Sequence, residues 1–260
     1  MVLANTVAIE PIGLLLALGF LVAVLALSKA LRLGLEKAFL IAALRCYVQL
    51  SLLGLVLVYL FAWDYPWLTG MVFGFMIFVS SWTIRGRLRE IPVATFKPVL
   101  FAVAVSGILI TFLVTAVVIQ VDPFWKARYW LPLGGMVLGN SMNGIALSVE
   151  RLFAEIRHRR SENLTWQALG AGPWECLRPS VQTAMRAGLI PAVNNMAVVG
   201  VVSIPGMMTG QVLAGAPAAQ AARYQVVVML MIAAASATGS LLAVLSCARL
   251  TIDEDGVVRV

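Results

Sequence analysis

PVLFAVAVSGILITFLVTAVVIQV, residues 98–121, contains no Asp, Glu, Lys or Arg. About 20 apolar residues suffice for a helix to cross the roughly 30 Å hydrocarbon core of a bilayer. Inside that layer the backbone must satisfy its own hydrogen bonds, so such a run is read as a helix. Six further apolar runs lie near 11–31, 38–62, 67–84, 130–149, 187–204 and 224–247, with short polar connectors between them. The chain is 61% hydrophobic and 12% charged, against about 25% charge in a soluble domain. The expected fold is an all-α polytopic membrane protein of about seven transmembrane helices. It is one membrane domain over 1–260, without a linker.

The formal charge of +7 sits in short loops between apolar runs, so it does not indicate a nucleic-acid partner. One set of loops carries Lys29, Arg32 and Lys37, then Arg85, Arg87, Arg89 and Lys97. The same set continues with Arg151, Arg157, Arg159, Arg160, Arg178 and Arg186, then Arg249 and Arg259. The opposite set carries Lys126, Arg128 and Arg223. Lys and Arg mark cytoplasmic loops, so the N-terminus is expected outside and the C-terminus in the cytoplasm. The location implied is the plasma membrane, which is the inner membrane in a bacterium. Met1–Glu10 has no Lys or Arg, so 11–31 reads as a retained span rather than a cleaved signal. Glu10, Asp64 and Asp122 fall on the outer side. Trp63, Tyr65 and Trp67, and then Phe124, Trp125, Tyr129 and Trp130, flank outer turns as aromatic anchors.

Catalytic and metal motifs are sparse. Cys46, Cys176 and Cys247 are scattered, and no CxxC or Cys/His spacing appears, so neither a zinc site nor a disulfide framework is indicated. His158 is the sole histidine and stands in the basic run 157–160, where a solvated loop residue is expected. There is no phosphate-binding GxxxxGK[ST], no HExxH and no Asp pair in a span. A membrane-embedded enzyme is therefore not expected, and no cofactor is expected on this chain.

Several polar residues inside the runs need explanation. Arg45 lies within the second run, where a cation costs about 2.5–3.5 kcal/mol at mid-membrane. It either snorkels to the cytoplasmic side or, with Gln49 on the same face, ties helices together or lines a path. In the fifth run, Gly135 and Gly139 form a small-xxx-small face for close helix packing. Asn140, Ser141 and Asn143 should face a helix neighbour or a cavity. In the sixth, which also carries Asn194, two prolines and several glycines suggest a bent or broken helix, with Pro191, Pro205 and Gly206 as hinges. Met207 and Met208 offer thioether sulfur, which suits soft or borderline metals, although methionine is also a common packing residue. No Asp or Glu lies in the seven runs, so tight binding of a hard cation there is not expected.

The segment 150–186 is the longest cytoplasmic connector. Thr165–Leu169 reads as one short helix, broken by Gly170-Ala171-Gly172-Pro173. Trp174–Met185 reads as another, with Trp174, Leu177, Val181 and Met185 on one face. It either lies on the headgroups or docks on a cytoplasmic partner.

Three stretches carry a family resemblance. The first is Gly188-Leu189-Ile190-Pro191. The second is Val199-Gly200-Val201-Val202-Ser203-Ile204-Pro205-Gly206-Met207-Met208-Thr209-Gly210, followed by Tyr224-Gln225. The third is Gly139-Asn140-Ser141-Met142, with Arg45…Gln49-Leu50 beside it. In these the chain resembles the FetB-like permeases (UPF0014), membrane subunits assigned to an iron-export ABC transporter, with plant relatives tied to aluminium tolerance. The resemblance implies a permease that exports iron or another metal ion and is powered by a separate ATPase subunit that uses ATP and Mg. It also implies a second copy of the chain in the complex. Taken with the polar residues read from the spans themselves, the candidate path residues are Arg45, Gln49, Asn140, Asn143, Asn194, Met207 and Met208. Ala168-Leu169-Gly170-Ala171-Gly172-Pro173 is similar to the centre of an ABC coupling loop, so Leu169, Gly170, Ala171, Pro173 and Arg178 are the expected ATPase contacts. The acidic residue common five positions before that glycine is replaced by Thr165, and Glu162 is out of register. The alternatives are a stand-alone channel or scaffold, or a permease for a sugar nucleotide or other small solute.

Overall fold

The computed structural model describes residues 11–88, 91, 94–253 and 256–258. Glu10, Arg89 and Arg259 lie outside the described residues, as does the rest of the stretch before Pro11. Among the described residues the chain is helical, with two isolated β-bridges, Val199 to Ser203 and Ile252 to Val258. The helices are α1 (Pro11–Ala30), α2 (Glu36–Trp63), α3 (Pro66–Arg87), α4 (Phe96–Phe112) and α5 (Ala127–His158). After them come α6 (Arg160–Ala168), α7 (Pro173–Val198), α8 (Gly206–Leu213) and α9 (Ala218–Arg249). A π-helical stretch, Leu113–Val118, continues α4. Among the described residues four segments are long and apolar enough to cross a bilayer: α2, α3, Phe96–Val118 and α9. Leu16–Ala30 is a shorter apolar segment.

The chain divides into two compact units. The first comprises the described residues to Trp63 together with Leu213–Gly215. Here α1 and α2 form a helical hairpin. Its turn is closed by Ser28, whose hydroxyl donates to Glu36 Oε1 at 2.9 Å and accepts from the Leu35 N–H at 3.3 Å. The outward surfaces of both helices are large apolar side chains such as Leu16, Phe20, Leu44 and Tyr59. That is a surface suited to lipid or to another helix.

The second unit, Asp64–Val212 and Ala216–Val260, contains the core. α5 is central and packs on α7, α9, α3 and α4. At 1.5 Å per residue its 32 residues span about 48 Å, well beyond the hydrocarbon layer, and no charged residue lies between Arg128 and Glu150. Asp64 starts α5: its Oδ1 accepts from the Ala127 N–H at 2.9 Å, which satisfies a donor that the helix itself leaves unpaired. Asp64 sits at φ +43°, a conformation Asp tolerates better than most residues. One apolar cluster joins α4, the π segment, α5 and α9 through Ile110, Val114, Leu133, Val137, Val228, Met231 and Ala235.

Buried hydroxyls do not break these helices, because they bond to their own backbone. Ser81, Ser106, Thr115 and Ser148 each donate to the carbonyl four residues earlier, at 2.7–2.9 Å. The small-residue face of Gly135 and Gly139 is not where the helices approach most closely. Gly139 has open space around it, and Gly135 meets only the tip of Met76. Close approach occurs instead at Gly134 against Phe73, Gly107 against Leu138, Gly239 against Ile145, and Gly144 against Gly188. The side of α5 that is buried runs through Gly134, Val137, Ser141, Gly144 and Ser148, one helical face at i, i+3, i+4 spacing.

The segment 165–204 also differs from its sequence reading. α6 begins five residues earlier, at Arg160. Trp174–Met185 is not a separate helix. It is the first half of α7, which runs unbroken from Pro173 to Val198 with Pro179 and Pro191 inside it. Its buried stripe is Cys176, Leu177, Ser180, Ala184 and Gly188, while Trp174 stays 42% exposed. Small side chains let α7 approach α5, and that packing outweighs the helix-breaking tendency of the two prolines. The chain does break farther on, at Val199–Pro205, where Gly200 adopts φ +83°.

Candidate functional site

Two places in the second unit have the features of a site: a protruding turn between α6 and α7, and a cavity bounded by α7, α8 and α9.

The turn is built by backbone chemistry. Gly170 takes φ +91° and ends α6, and Pro173 occupies the first turn of α7, where its missing N–H is harmless. Glu175 reaches back to accept the Gly172 N–H at 2.8 Å. Upstream, Glu155 is 8% exposed and bridges Arg151 at 2.6 Å and Arg159 at 3.5 Å. Arg159 also meets Glu162 at 3.4 Å. These pairs hold the junction between α5 and α6. Leu169 sits at the tip and is 83% exposed. Leu164, Trp166 and Trp174 are exposed on the same two helices, and Arg178 is exposed one turn into α7. The turn therefore presents an ordered apolar tip beside basic groups.

The turn is braced from the far end of the chain. The Gln167 Nε2 donates to the Gly256 carbonyl at 2.9 Å, and its Oε1 accepts from the Val258 N–H at 3.4 Å. Thr251 and Val258 are buried. Sequence reasoning missed this clasp, because Gln167 is an unremarkable helical polar residue until its distant partner is known.

The cavity has a volume of about 350 Å³. Met196 of α7, Met208 of α8 and Met229 of α9 line it, with Val199, Gly200 and Pro205 from the broken segment. Gln225 also lines it and is 7% exposed. Met207 and Met208, adjacent in sequence, go different ways: Met207 packs against the core cluster, while Met208 faces the cavity.

Within the second unit, Asn140, Asn143 and Asn194 do not line this cavity. Asn140 and Asn143 are exposed on α5, and Asn140 Nδ2 donates to the Met136 carbonyl at 2.8 Å. Asn194 is exposed on α7. Arg45 and Gln49 belong to the first unit. There they line a shallow groove along α2 with Ala38, Ile41, Ala42, Cys46 and Leu50. Pro191 lies inside α7, whereas Pro205 and Gly206 stand at the break and at the start of α8. Among the described residues no cluster of three or more His, Cys, Asp or Glu side chains is placed to hold a metal ion.

Comparison with known proteins adds the following. Residues 11–252 match the profile of the uncharacterised protein family UPF0014. The chain is similar to the UPF0014 membrane protein slr1647 of Synechocystis sp., at 36% identity over 83% of each chain. It is 30% identical to the Escherichia coli protein named "Probable iron export permease protein FetB", over 90% of this chain and 88% of that one. It is also 30% identical to the Arabidopsis thaliana protein ALUMINUM SENSITIVE 3, over 85% of this chain and 80% of that one. No solved structure matches.

Proposed function

From the premise that this chain belongs to the UPF0014 family of membrane proteins, we propose that it is the permease subunit of an ATP-driven exporter of iron or another metal ion. The observation that carries this reading is Leu169, 83% exposed at the tip of a turn that Gly170, Glu175 and Gln167 hold in one shape. An apolar tip kept rigid and offered to solvent fits insertion into a groove on a partner protein. The partner is a separate ATPase, which uses ATP and Mg, because this chain carries no phosphate-binding loop.

In this reading the multi-pass chain lies in the plasma membrane, the inner membrane of a bacterium. Its N-terminus is outside and the α6–α7 turn and C-terminus are in the cytoplasm. α7 then links the two surfaces directly. One end is the ATPase contact and the other is the broken segment Val199–Pro205. A push on Leu169, Ala171, Pro173 and Arg178 travels along one packed helix, which supports alternating access. Asn140, Asn143 and Asn194 are exposed on helices of an apolar bundle, where lipid contact is costly. A second copy of the chain covers them, and a polar path runs along the contact. The relative named an iron export permease supports a metal cargo.

The test is reconstitution. Vesicles holding this chain and its cognate ATPase should release loaded metal ion only with ATP and Mg. Release without nucleotide would indicate a channel, and release of a sugar nucleotide but no metal would replace the cargo.

A further inference from the structure

The cavity between α7, α8 and α9 has a donor set of one kind. Each of its three helices supplies one methionine: Met196, Met208 and Met229. Gln225 lies one turn before Met229 on α9. Its Oε1 is buried and has no hydrogen-bond partner, in a residue 7% exposed. An unpaired buried acceptor is unfavourable, so the position favours a ligand that takes up that lone pair. The rest of the wall is apolar, and no carboxylate, imidazole, thiol or cationic side chain lines the cavity.

All four donors are neutral, and three are soft. A hard divalent cation gains little from thioether sulfur, and its double charge would meet no compensating anion in a low-dielectric wall. A monovalent soft ion carries half that charge and forms its best bonds with sulfur. Packing alone does not account for the arrangement, since the methionines line an open apolar hollow of about 350 Å³ instead of filling it.

We propose that this cavity binds a soft monovalent metal ion, Cu(I) or Ag(I), through Met196, Met208 and Met229, with Gln225 Oε1 as the fourth donor. As a cargo site this narrows the exported metal and rests on the permease reading. Occupancy of the site does not, so it is measured on the full chain in detergent with no ATPase present. Cu(I) is titrated against a chromophoric Cu(I) chelator in a Cys46→Ser background, which removes the exposed thiol. One Cu(I) per chain should be withdrawn from the chelator, and excess Fe(II) should not displace it. The triple variant Met196→Leu, Met208→Leu, Met229→Leu keeps side-chain volume. It should lose that equivalent, with affinity weakened by more than ~100-fold, the upper end of what loss of an outer-shell partner alone costs. Should the triple variant misfold, Met208→Leu alone should weaken binding, and X-ray absorption of the Cu(I)-loaded parent should show about three sulfur scatterers. No stoichiometric uptake, uptake that survives the leucine substitutions, or equal competition by Fe(II) would overturn the site. ATP-driven iron release alongside any of these results would leave the permease standing without it.

Discussion

Gly144 of α5 and Gly188 of α7 lie back to back. A Cβ added to Gly144 would stand 2.8 Å from the Gly188 carbonyl oxygen, and one added to Gly188 would stand 2.6 Å from the Gly144 carbonyl oxygen and overlap Ser148 Oγ. Ser148 cannot easily turn away, because its hydroxyl donates to the Gly144 carbonyl at 2.9 Å. This contact sets a point of closest approach between the central helix and α7.

Gly188→Ala should therefore destabilise the chain by about 1–3 kcal/mol, the usual range for overpacking, and Gly188→Val by more. Gly139→Ala should be neutral or slightly stabilising, since Gly139 has open space and alanine is the better helix former. Thermal melts in one detergent would check the pair. Equal melting temperatures for Gly188→Val and the parent would refute the contact.

Asp64 holds the first turn of α5 through one charge-assisted bond to the Ala127 N–H. Loss of such a cap costs about 0.5–2 kcal/mol. Asp64→Ala removes both the acceptor and a residue type suited to φ +43°. Asp64→Asn keeps an oxygen acceptor and tolerates the backbone. The expected order of melting temperature is parent, then Asn, then Ala. Should Ala match Asn, the cap contributes nothing.

How much of this was legible beforehand depended on what each residue has to meet. The apolar runs and the Gly170 break follow from local chemistry, and both are present. Gly135 and Gly139 form as good a small-residue face as Gly144 with Ser148. Choosing between them requires knowing which side of α5 meets α7, and that is set by the partner helix. Pro191 suggested a bend or break, but α7 continues through it because neighbouring helices stabilise what the proline weakens. Met207 and Met208 read alike as soft donors. One residue of helical rotation, about 100°, sends the first into the core and the second to the cavity. Gln167 gave no signal, since it needs the tail 256–258, and Gln225 counted only toward the resemblance, since its cavity role needs the methionines around it.

The exposed tip of the α6–α7 turn is where partner binding should fail first. Leu169→Asp should leave melting and membrane insertion unchanged, because the side chain touches little of its own fold. ATPase stimulation by the permease should fall by ~30-fold or more, the effect of losing a hot spot worth about 2 kcal/mol. Arg178→Glu should weaken coupling less, and more at low salt than at high. A coupling assay across ionic strength separates the two. Full stimulation with Leu169→Asp would remove this turn from the interface.

Gln167 makes the same turn depend on the tail. Gln167→Leu removes both amide bonds to Gly256 and Val258 while keeping a helix former. Amide exchange across 251–258 should then speed up, and so should exchange at Ala171 and Gly172, with melting nearly unchanged. Gln167→Glu keeps the acceptor but loses the donor to the Gly256 carbonyl, so it should fall between. Protection of the tail equal to the parent's would show that its burial, not the clasp, holds it.

The divergence of Met207 and Met208 has a chemical readout. In a Cys46→Ser background the remaining native thiols, Cys176 and Cys247, are buried. Met208→Cys places a thiol on the wall of the cavity, and Met207→Cys places one against the core cluster of Val137, Val228 and Met231. A membrane-impermeant thiol reagent added from outside should modify position 208 at least ~10-fold faster, because reaction requires an accessible thiolate. Cu(I) or Ag(I) added first should protect position 208 in the parent methionine context by occupying Met196 and Met229, and leave position 207 as it was. Equal rates at the two positions would mean that α8 is turned differently from the structure. A fast rate at 208 only when the reagent is added from the cytoplasmic side would reverse the orientation of α7, and with it the assignment of the coupling turn to the cytoplasm.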